Sequence, residues 1–526
     1  MYRNSSHQIF LSDDFFLPFG GKLNNENRWV KLAQTIPWWE FEERYSKYFK
    51  ASNKGGKALP VRVALGTLII QAKMNLTDRE VVAQIMENPY YQYFIGFECF
   101  DDREEPFNSS MLVHFRKRLN KEILIEVNEI IVKDAAANAM PKKDKDDNND
   151  GNSGVAGTNG NQNEFEPNTS EEDCNDDGKA TFQKSDEESL KETALNNQGY
   201  MLLDATCAPS DIRYPTDLRL LNEAREKLEK IIDVLHEPDT GTKDKPRTYR
   251  EKARKDYLAI EKQRKKRAKT VRKAIKKQLS YVNRDLGIIE SYLSVPERFN
   301  ALSRKQKQEL ETIKVLYEQQ LHMYTNKIHS VEDRIVSISQ PHVRPIVRGK
   351  AGADVEFGNK VMTSVVNGFS FIEKMSFDSF NEGSYLKEAV ENYKTRFGFY
   401  PEAVLADTIF RNQINRGYLK SLGIRISGPS LGRPNKTRAI EKAKKQIEYI
   451  DSGLRNRIES TYGVSKRKFG LELIKAKLKE TAESSIVLQF LVMNLEQRLR
   501  LLLCQILNTI FNFLLQLKVL GNAELV

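Results

Sequence analysis

The sequence has few cysteines, and they are widely separated. They are Cys99, Cys174, Cys207 and Cys504, with no CxxC pair and no Cys/His ligand spacing in 526 residues. This spacing argues against a structural zinc site and against a disulfide framework. It fits a reducing compartment, so we expect a cytoplasmic protein.

A secretory signal and an uninterrupted apolar span are also lacking. The first residues, Met-Tyr-Arg-Asn-Ser-Ser-His, do not follow the charged-then-apolar order of a signal peptide. Residues 501–517 carry no charge, but Gln505, Asn508, Asn512 and Gln516 interrupt them at helical spacing. The pattern predicts an amphipathic packing helix and no membrane partner.

Acidic residues are fewer than basic ones. The chain has 83 Lys and Arg residues against 72 Asp and Glu residues, a formal net charge of +11 and a sequence pI near 9.1. This surplus favours a polyanionic partner, of which nucleic acid is the commonest and membrane lipid an alternative. The length exceeds that of a single core, and we expect about three structural units.

Aliphatic residues almost disappear between about 141 and 190, where Asp, Glu, Asn, Gly and Ser dominate. Such a segment cannot bury enough apolar surface to order itself. We therefore predict an acidic disordered linker over residues 138–195. It acts as a tether or, alternatively, competes with DNA for basic surfaces.

Helical periodicity characterises residues 38–137, and the helix predicted over residues 111–119 is basic. A compact helical domain whose last helix is basic suits DNA binding in the manner of a helix-turn-helix. We predict a helical DNA-binding domain over residues 1–137, with Arg116 and Arg118 as DNA contacts. An ordinary solvated face is the alternative explanation of these charges.

An aspartate interrupts an apolar, β-rich run at residues 200–207. The run predicts a buried strand, in which the carboxylate of Asp204 is costly unless something binds it. A carboxylate that caps the next turn is the alternative.

Residues 211–345 follow this strand and predict two or three long antiparallel helices. Lysine and arginine are dense over residues 247–286, and Lys265 and Arg267 belong to this run. We expect a basic helical hairpin insertion whose cations, these two among them, lie along DNA phosphates. A solvated helix face is again the alternative.

Sheet signals resume near residue 355. Two β-rich runs, 359–366 and 369–377, flank Asn367-Gly368, the strongest short signal for a β-hairpin. Further elements are predicted in this order: a helix over 384–397, a buried strand over 402–407, a helix over 409–422 and a strand over 424–427. This order predicts an α/β fold, a mixed sheet with helices that the insertion interrupts after its first strand.

Two predicted strands of this sheet each contain an aspartate near their end, Asp204 and Asp407. Adjacent strand ends would bring the carboxylates together, and divalent cations such as Mg²⁺ would relieve their repulsion. Glu459 is the candidate third ligand, and on a continuous helix it shares one face with Arg455 and Lys466. The two cations could then bind DNA phosphates, whereas an ordinary surface Arg/Glu pair is the alternative.

These residues resemble the DDE transposases of bacterial insertion sequences. Arg455, Glu459 and Lys466 match the signature Tyr-x2-Arg-x3-Glu-x6-Lys of one broad group, although Ser452 stands at the tyrosine position. The segment 58–120 is similar to the N-terminal domain of many such transposases. The run Glu356-Phe357-Gly358-Asn359-Lys360 resembles their second-strand motif.

The resemblance implies a fold and a division of the chain. It implies an α/β, ribonuclease-H-like catalytic domain formed by residues 196–210 and 346–526 with C-terminal helices. An all-α N-terminal domain and the long helical insertion at 211–345 complete the chain.

The resemblance also implies a reaction. Asp204, Asp407 and Glu459 would be catalytic ligands of two Mg²⁺ ions, which Mn²⁺ can replace, in two-metal phosphoryl transfer. The implied function is cleavage and strand transfer at the ends of a mobile element. The implied partners are double-stranded DNA, as terminal inverted repeats and target, and a second copy of the chain, in a cytoplasmic protein that is nucleoid-associated when bound to DNA.

Three alternatives stay open. Asp211 could replace Asp204 as the first ligand, although only Asp204 lies inside a strand-like run. The chain could be a DNA-binding or scaffolding protein with an inactive catalytic domain. It could also be a nuclease on the same fold that does not join strands.

Overall fold

A mixed six-stranded sheet lies at the centre of the described chain. The structure is a computed structural model that describes residues 11–18, 20–47, 49, 58–138, 197–350, 353–429 and 438–523. The strands are β1 Tyr200–Pro209, β2 Arg344–Lys350, β3 Ala353–Val366, β4 Phe369–Ser376, β5 Ala403–Ala406 and β6 Arg425–Ile426. Their order is β2-β3-β1-β5-β6, and β4 also pairs with β3. The α/β prediction is therefore confirmed.

Strand β1 is central and carries the first candidate ligand. It pairs with β3 in the antiparallel direction and with β5 in the parallel direction. Most of its side chains are buried, and Asp204 is half-buried within that run. Burial on both faces explains why β1 has a continuous apolar sequence instead of an alternating one.

The predicted hairpin is confirmed. Strands β3 and β4 pair around Asn367 and Gly368, whose φ angles are 50° and 85°. A two-residue hairpin turn of this kind needs positive φ at both positions, which Asn and Gly tolerate best. The edge strand β2 was not predicted, because its mixture of charged residues with Pro345 lacks the alternation of a half-buried strand.

The N-terminal helical region packs directly on the sheet and the C-terminal helix. Its helices are Arg28–Thr35, Trp38–Ser46, Val61–Met74, Asp78–Glu87, Pro89–Phe94, Met111–Arg118 and Lys121–Asn138. Their buried side chains belong to one hydrophobic cluster with those of the sheet. A buried contact adds to it, since the Nδ2 of Asn494 donates to the Oδ1 of Asn128 at 2.7 Å.

The last two helices of the described chain are long, and both pack against the sheet. The site helix, Arg438–Phe469, packs against β1 and β5, and the C-terminal helix, Lys479–Ala523, packs against β4 and Lys121–Asn138. The buried residues of the C-terminal helix include Ile486, Val487, Phe490, Leu491 and Met493. These side chains therefore cover one face of the sheet.

The insertion is a separate helical unit. Its helices are Asp217–His236, Arg250–Glu261, Ala268–Leu293, Pro296–Ala301 and Arg304–Asn326. They bury a second hydrophobic cluster, which includes Leu221, Leu228, Val282 and Ile313. Three of them are 20 to 26 residues long, in line with the predicted two or three long helices, and two shorter helices accompany them. The run Glu-Lys-Gln-Arg-Lys-Lys-Arg at 261–267 supplies no apolar side chain, and the basic segment divides there into two helices.

Two further expectations concern the ends of these regions. Residues 139–195, nearly all of the predicted acidic linker, lie outside the described residues. Within the described residues, no helix is long and apolar enough to cross a membrane.

Candidate active site

Asp204 and Asp407 are neighbours at the end of a parallel strand pair. The pairing of β1 with β5 ends at Leu203 and Ala406, and each aspartate follows directly. Adjacent strands lie about 4.8 Å apart, so the two side chains start from neighbouring backbone positions. The strand register therefore brings the first two candidate ligands together.

The two carboxylates have different surroundings. The Oδ1 of Asp204 accepts a hydrogen bond from the backbone N–H of Ala205 at 2.7 Å, and the side chain is half-buried. The Oδ1 of Asp407 accepts from the N–H of Thr408 at 2.7 Å and caps the short helix Thr408–Phe410. The Asp407 side chain is 58% exposed, so it can be reached from solvent.

The site helix crosses the ends of both strands. The Nη1 of Arg455 lies 3.4 Å from the Oδ1 of Asp407, and the hydroxyl of Tyr462 donates to the carbonyl oxygen of Asp204 at 2.8 Å. Glu459 is four residues after Arg455 and three residues before Tyr462. These spacings put it on the same side of the helix, one turn from each.

The exposed carboxylate of Glu459 completes the candidate set, but the three acids do not form a ready metal site. Among the described residues, no group of three or more His, Cys, Asp and Glu side chains is arranged so that it could hold a metal ion. The donor chemistry of the two neighbouring aspartates nevertheless fits Mg²⁺, which prefers a few carboxylates plus water. The assignment of Asp204, Asp407 and Glu459 as metal ligands stays a prediction.

Asp211 lies far from the strand end that carries Asp407. It follows β1, and its N–H donates to the carbonyl oxygen of Ile474 at 3.1 Å. It is seven positions after Asp204, which corresponds to about 23 Å along an extended chain. The register therefore favours Asp204 over Asp211 as the partner of Asp407.

The other members of the helix signature have partners within the protein. The Nζ of Lys466 lies 4.0 Å from the Oε1 of Glu356, which belongs to the second-strand motif. Ser452, at the tyrosine position of the signature, is exposed. Its neighbour Asp451 is buried and forms an ion pair with Arg425 of β6. This pair holds the site helix against the sheet edge.

Two of the predicted DNA contacts are engaged in the N-terminal region. The guanidinium of Arg116 pairs with Asp78 and donates to the Oε1 of Gln71 at 2.9 Å. The guanidinium of Arg118 lies 4.4 Å from the ring centroid of Phe49. Both side chains therefore contribute to the packing of this region.

The other two predicted DNA contacts lie on the surface of the insertion. Lys265 and Arg267 belong to an exposed stretch, residues 262–269, which follows the helix Arg250–Glu261 and includes the first two residues of the helix Ala268–Leu293. Within this stretch Lys266 pairs with Glu261 at 2.6 Å. We call residues 262–269 the basic tip.

Tyr462 was missed by the sequence reasoning. It lies on the apolar stripe of the site helix with Ile458 and Phe469, and it is 7% exposed. Helical spacing could have marked it as a core residue. Its partner in β1 is 258 residues away in the sequence, so no local pattern could reveal the contact.

Comparisons with known proteins match two separate regions. Residues 18–118 match the model of a transposase domain, DUF772, and residues 404–496 match the transposase DDE domain. The second match contains Asp407, Arg455, Glu459 and Lys466, whereas Asp204 and the insertion lie outside both matches.

A curated relative covers a shorter part. An uncharacterized protein, ORF8 in the nfe locus of Rhizobium meliloti, is 33% identical over 113 residues, which is 22% of this chain and 53% of the relative. The chain thus spans about half the length of this relative. No solved structure gives a significant match.

Proposed function

We propose that this chain, which the two domain matches support as a DDE-type transposase of an insertion sequence, cuts and joins DNA at the ends of its mobile element. The observation that carries the proposal is the pair Asp204 and Asp407 at adjacent strand ends, crossed by the helix that bears Glu459. Without the edge strand β2, the paired strands follow the order β4-β3-β1-β5-β6. This order also supports a ribonuclease-H-like catalytic domain.

The three carboxylates would hold the two Mg²⁺ ions of the proposal. Such ions activate water or a 3′-hydroxyl for in-line attack on a phosphodiester and stabilise the leaving oxygen. The carboxylate of Asp407 is exposed and that of Asp204 is half-buried. The carboxylate of Glu459 is exposed and lies on the site helix, one turn after Arg455. The chain's own contribution is to hold these acids at the meeting point of two strands and one helix.

Arg455 supplies positive charge beside the carboxylates. It is on the same helix face as Glu459, and its contact with Asp407 at 3.4 Å is between partly exposed side chains. An exposed ion pair of this kind is weak, about 0–1 kcal/mol, and is readily exchanged for another partner. We assign Arg455 to a DNA phosphate next to the scissile bond, with Lys466 further along the same face.

The basic tip is the proposed surface for the rest of the duplex. It presents Lys262, Arg264, Lys265, Lys266, Arg267 and Lys269 as exposed cations. Cations in this density bind phosphates through release of counterions, without reading the sequence. We assign recognition of the element end to the N-terminal region. A second copy of the chain would hold the other end of the element.

A cleavage assay tests the proposal. The substrate is duplex DNA that carries the boundary of the native element, incubated with the full chain and Mg²⁺. We expect cleavage at the boundary and loss of at least about 100-fold in rate in Asp407→Asn and Glu459→Gln, with DNA binding retained in a mobility-shift assay. Asp211→Asn is the matched control and should cleave as the unchanged chain does.

The products distinguish the functions. Joined strands in the presence of target DNA identify a transposase, whereas cleavage without joining identifies a nuclease. Absence of metal-dependent cleavage would identify an inactive scaffold. Cleavage that survives Asp407→Asn would overturn the site assignment.

A further inference from the structure

The hydroxyl of Tyr462 links three elements at the candidate active site. It donates to the carbonyl oxygen of Asp204 in β1 at 2.8 Å, and it lies 2.6 Å from the Oγ1 of Thr363 in β3. Thr363 is directly opposite Asp204 in the antiparallel β1–β3 pairing. A single side chain of the site helix therefore contacts a residue pair of the sheet, one member of which is the first candidate ligand.

The direction of these hydrogen bonds follows from donor capacity. The carbonyl oxygen of Asp204 can only accept, so the proton of the Tyr462 hydroxyl is directed to it. The Thr363 hydroxyl must then donate to the phenol oxygen. A chain of two hydrogen bonds thus runs from Thr363 through Tyr462 to the backbone of Asp204.

Two contacts flank Glu459 on the helix, that of Tyr462 with Asp204 and that of Arg455 with Asp407. The contact of Tyr462 is the more buried of the two. Tyr462 is 7% exposed and Thr363 is fully buried, whereas the side chains of Arg455 and Asp407 are 36% and 58% exposed. A buried hydrogen bond is poorly replaced by water, whereas an exposed ion pair is screened. Of these two contacts, the Tyr462 hydrogen bond therefore contributes more to the position of the helix along β1, and the buried Asp451–Arg425 pair holds the helix at β6.

Glu459 lies one turn before this contact. A rotation or a slide of the helix would move its carboxylate away from Asp204 and Asp407. We propose that Tyr462 is a positioning residue, whose hydroxyl sets the distance between Glu459 on the helix and Asp204 on the strand. The inference rests on the proposed function, since it assumes that these carboxylates share metal ions.

The test measures Mn²⁺ binding to the full chain without DNA, by electron paramagnetic resonance of the free ion, together with thermal unfolding. Tyr462→Phe keeps the ring and removes only the hydroxyl. Tyr449→Phe is the matched control, because Tyr449 lies on the same helix and is 82% exposed. Thr363→Val removes the other end of the hydrogen-bond chain.

We expect Mn²⁺ affinity to fall about 10-fold in Tyr462→Phe, and by less in Thr363→Val, as for other residues that orient metal ligands. Tyr449→Phe should bind as the unchanged chain does. In the cleavage assay, a higher Mn²⁺ concentration should restore the rate of Tyr462→Phe, because the ligands are displaced but present. A purely structural tyrosine would lower the melting temperature and leave the Mn²⁺ affinity unchanged, and this result would overturn the inference.

Asp407→Asn separates this inference from the proposed function. If Asp407→Asn weakens Mn²⁺ binding and Tyr462→Phe does not, only the role of Tyr462 is wrong. If Asp407→Asn and the unchanged chain bind Mn²⁺ equally, the proposed metal site is wrong and the inference fails with it.

Discussion

The N-terminal helical region and the insertion are both helical and both rich in cations, but they use these cations differently. In the first region Arg116 pairs with Asp78 and Arg118 lies against Phe49. In the insertion, Lys265 and Arg267 project from the exposed basic tip. A run of basic residues in a sequence therefore does not define a binding surface, because the partners of each side chain decide whether its charge is available.

The two regions also differ in their cores. Buried residues of the N-terminal region, such as Leu65 and Phe115, belong to the same hydrophobic cluster as the sheet. The insertion buries its own cluster, in which Leu228 and Ile313 take part. A unit with its own core can open without disturbing the rest, whereas a shared core couples its parts.

The largest expected effect comes from a cavity in each core. Leu228→Ala and Leu65→Ala should each cost about 2–5 kcal/mol of local stability, since both side chains are fully buried. By amide hydrogen exchange, Leu228→Ala should accelerate exchange in the insertion helices alone. Leu65→Ala should also accelerate exchange in the sheet. Faster exchange of β1 in Leu228→Ala would show that the two cores are coupled.

A buried acid in the insertion core should make that unit sensitive to pH. Burial raises the pKa of Asp285 to about 7, with the nearby Glu229 adding to the effect. Both carboxylate oxygens lack a hydrogen-bond partner among the described residues. The folded state then binds more protons than the unfolded state between about pH 4 and pH 7, so stability falls as the pH rises through this window.

Asp285→Asn should therefore stabilise the insertion by about 1–3 kcal/mol at pH 8, because it removes the buried charge. At pH 5 the difference between the two chains should be smaller. Urea unfolding followed by exchange of the insertion helices measures both values. If the unchanged chain and Asp285→Asn lost equal stability from pH 5 to pH 8, Asp285 would not be the source of the pH dependence.

The charge of the basic tip should govern DNA affinity. Lys265→Gln with Arg267→Gln should weaken binding about 10-fold at low salt. The slope of log K against log salt should fall by about 1.8, because the double variant neutralises two phosphates fewer. The melting temperature should not change, because both side chains are exposed.

Lys305→Gln is the control for the basic tip. Lys305 is also exposed, and it lies at the start of the helix Arg304–Asn326. The other end of this helix lies near the basic tip, because Arg272 donates to the carbonyl oxygen of Tyr324. Lys305 is therefore about 28 Å from Tyr324 along the helix. An equal loss of affinity in Lys305→Gln would mean that total charge, and not the tip, decides binding.

The smallest effect is expected from the paired cation of the N-terminal region. Arg116→Met should lower stability by about 1 kcal/mol, because Asp78 and Gln71 lose a partner. The salt slope of DNA binding should remain as it was. A slope reduced by about 1 would instead identify Arg116 as a phosphate contact.

Local signals account for the parts of the fold that the sequence reasoning predicted. The Asn367-Gly368 turn needs no distant contact to be identified, and it lies where it was expected. The strands that contain Asp204 and precede Asp407 were apolar enough to be identified individually. Helix spacing related Arg455, Glu459 and Lys466 in the same way.

The remaining features depend on contacts between distant residues. Nothing near Arg116 predicts its pairing with Asp78, which lies 38 residues earlier. The registers that put Asp407 beside Asp204, and Tyr462 against β1, come from sheet pairing and helix packing. Strand β2 was missed because an edge strand needs no apolar alternation.

Cleavage of the chain by bound iron is the most direct test of the central claim that Asp204, Asp407 and Glu459 surround one metal site. Fe²⁺ replaces Mg²⁺ in the full chain, and ascorbate with hydrogen peroxide then generates hydroxyl radicals that cut nearby backbone. The account predicts cuts near all three residues, suppressed by excess Mg²⁺ and absent in Asp407→Asn. Cuts near Asp211 without cuts near Asp204 would contradict it.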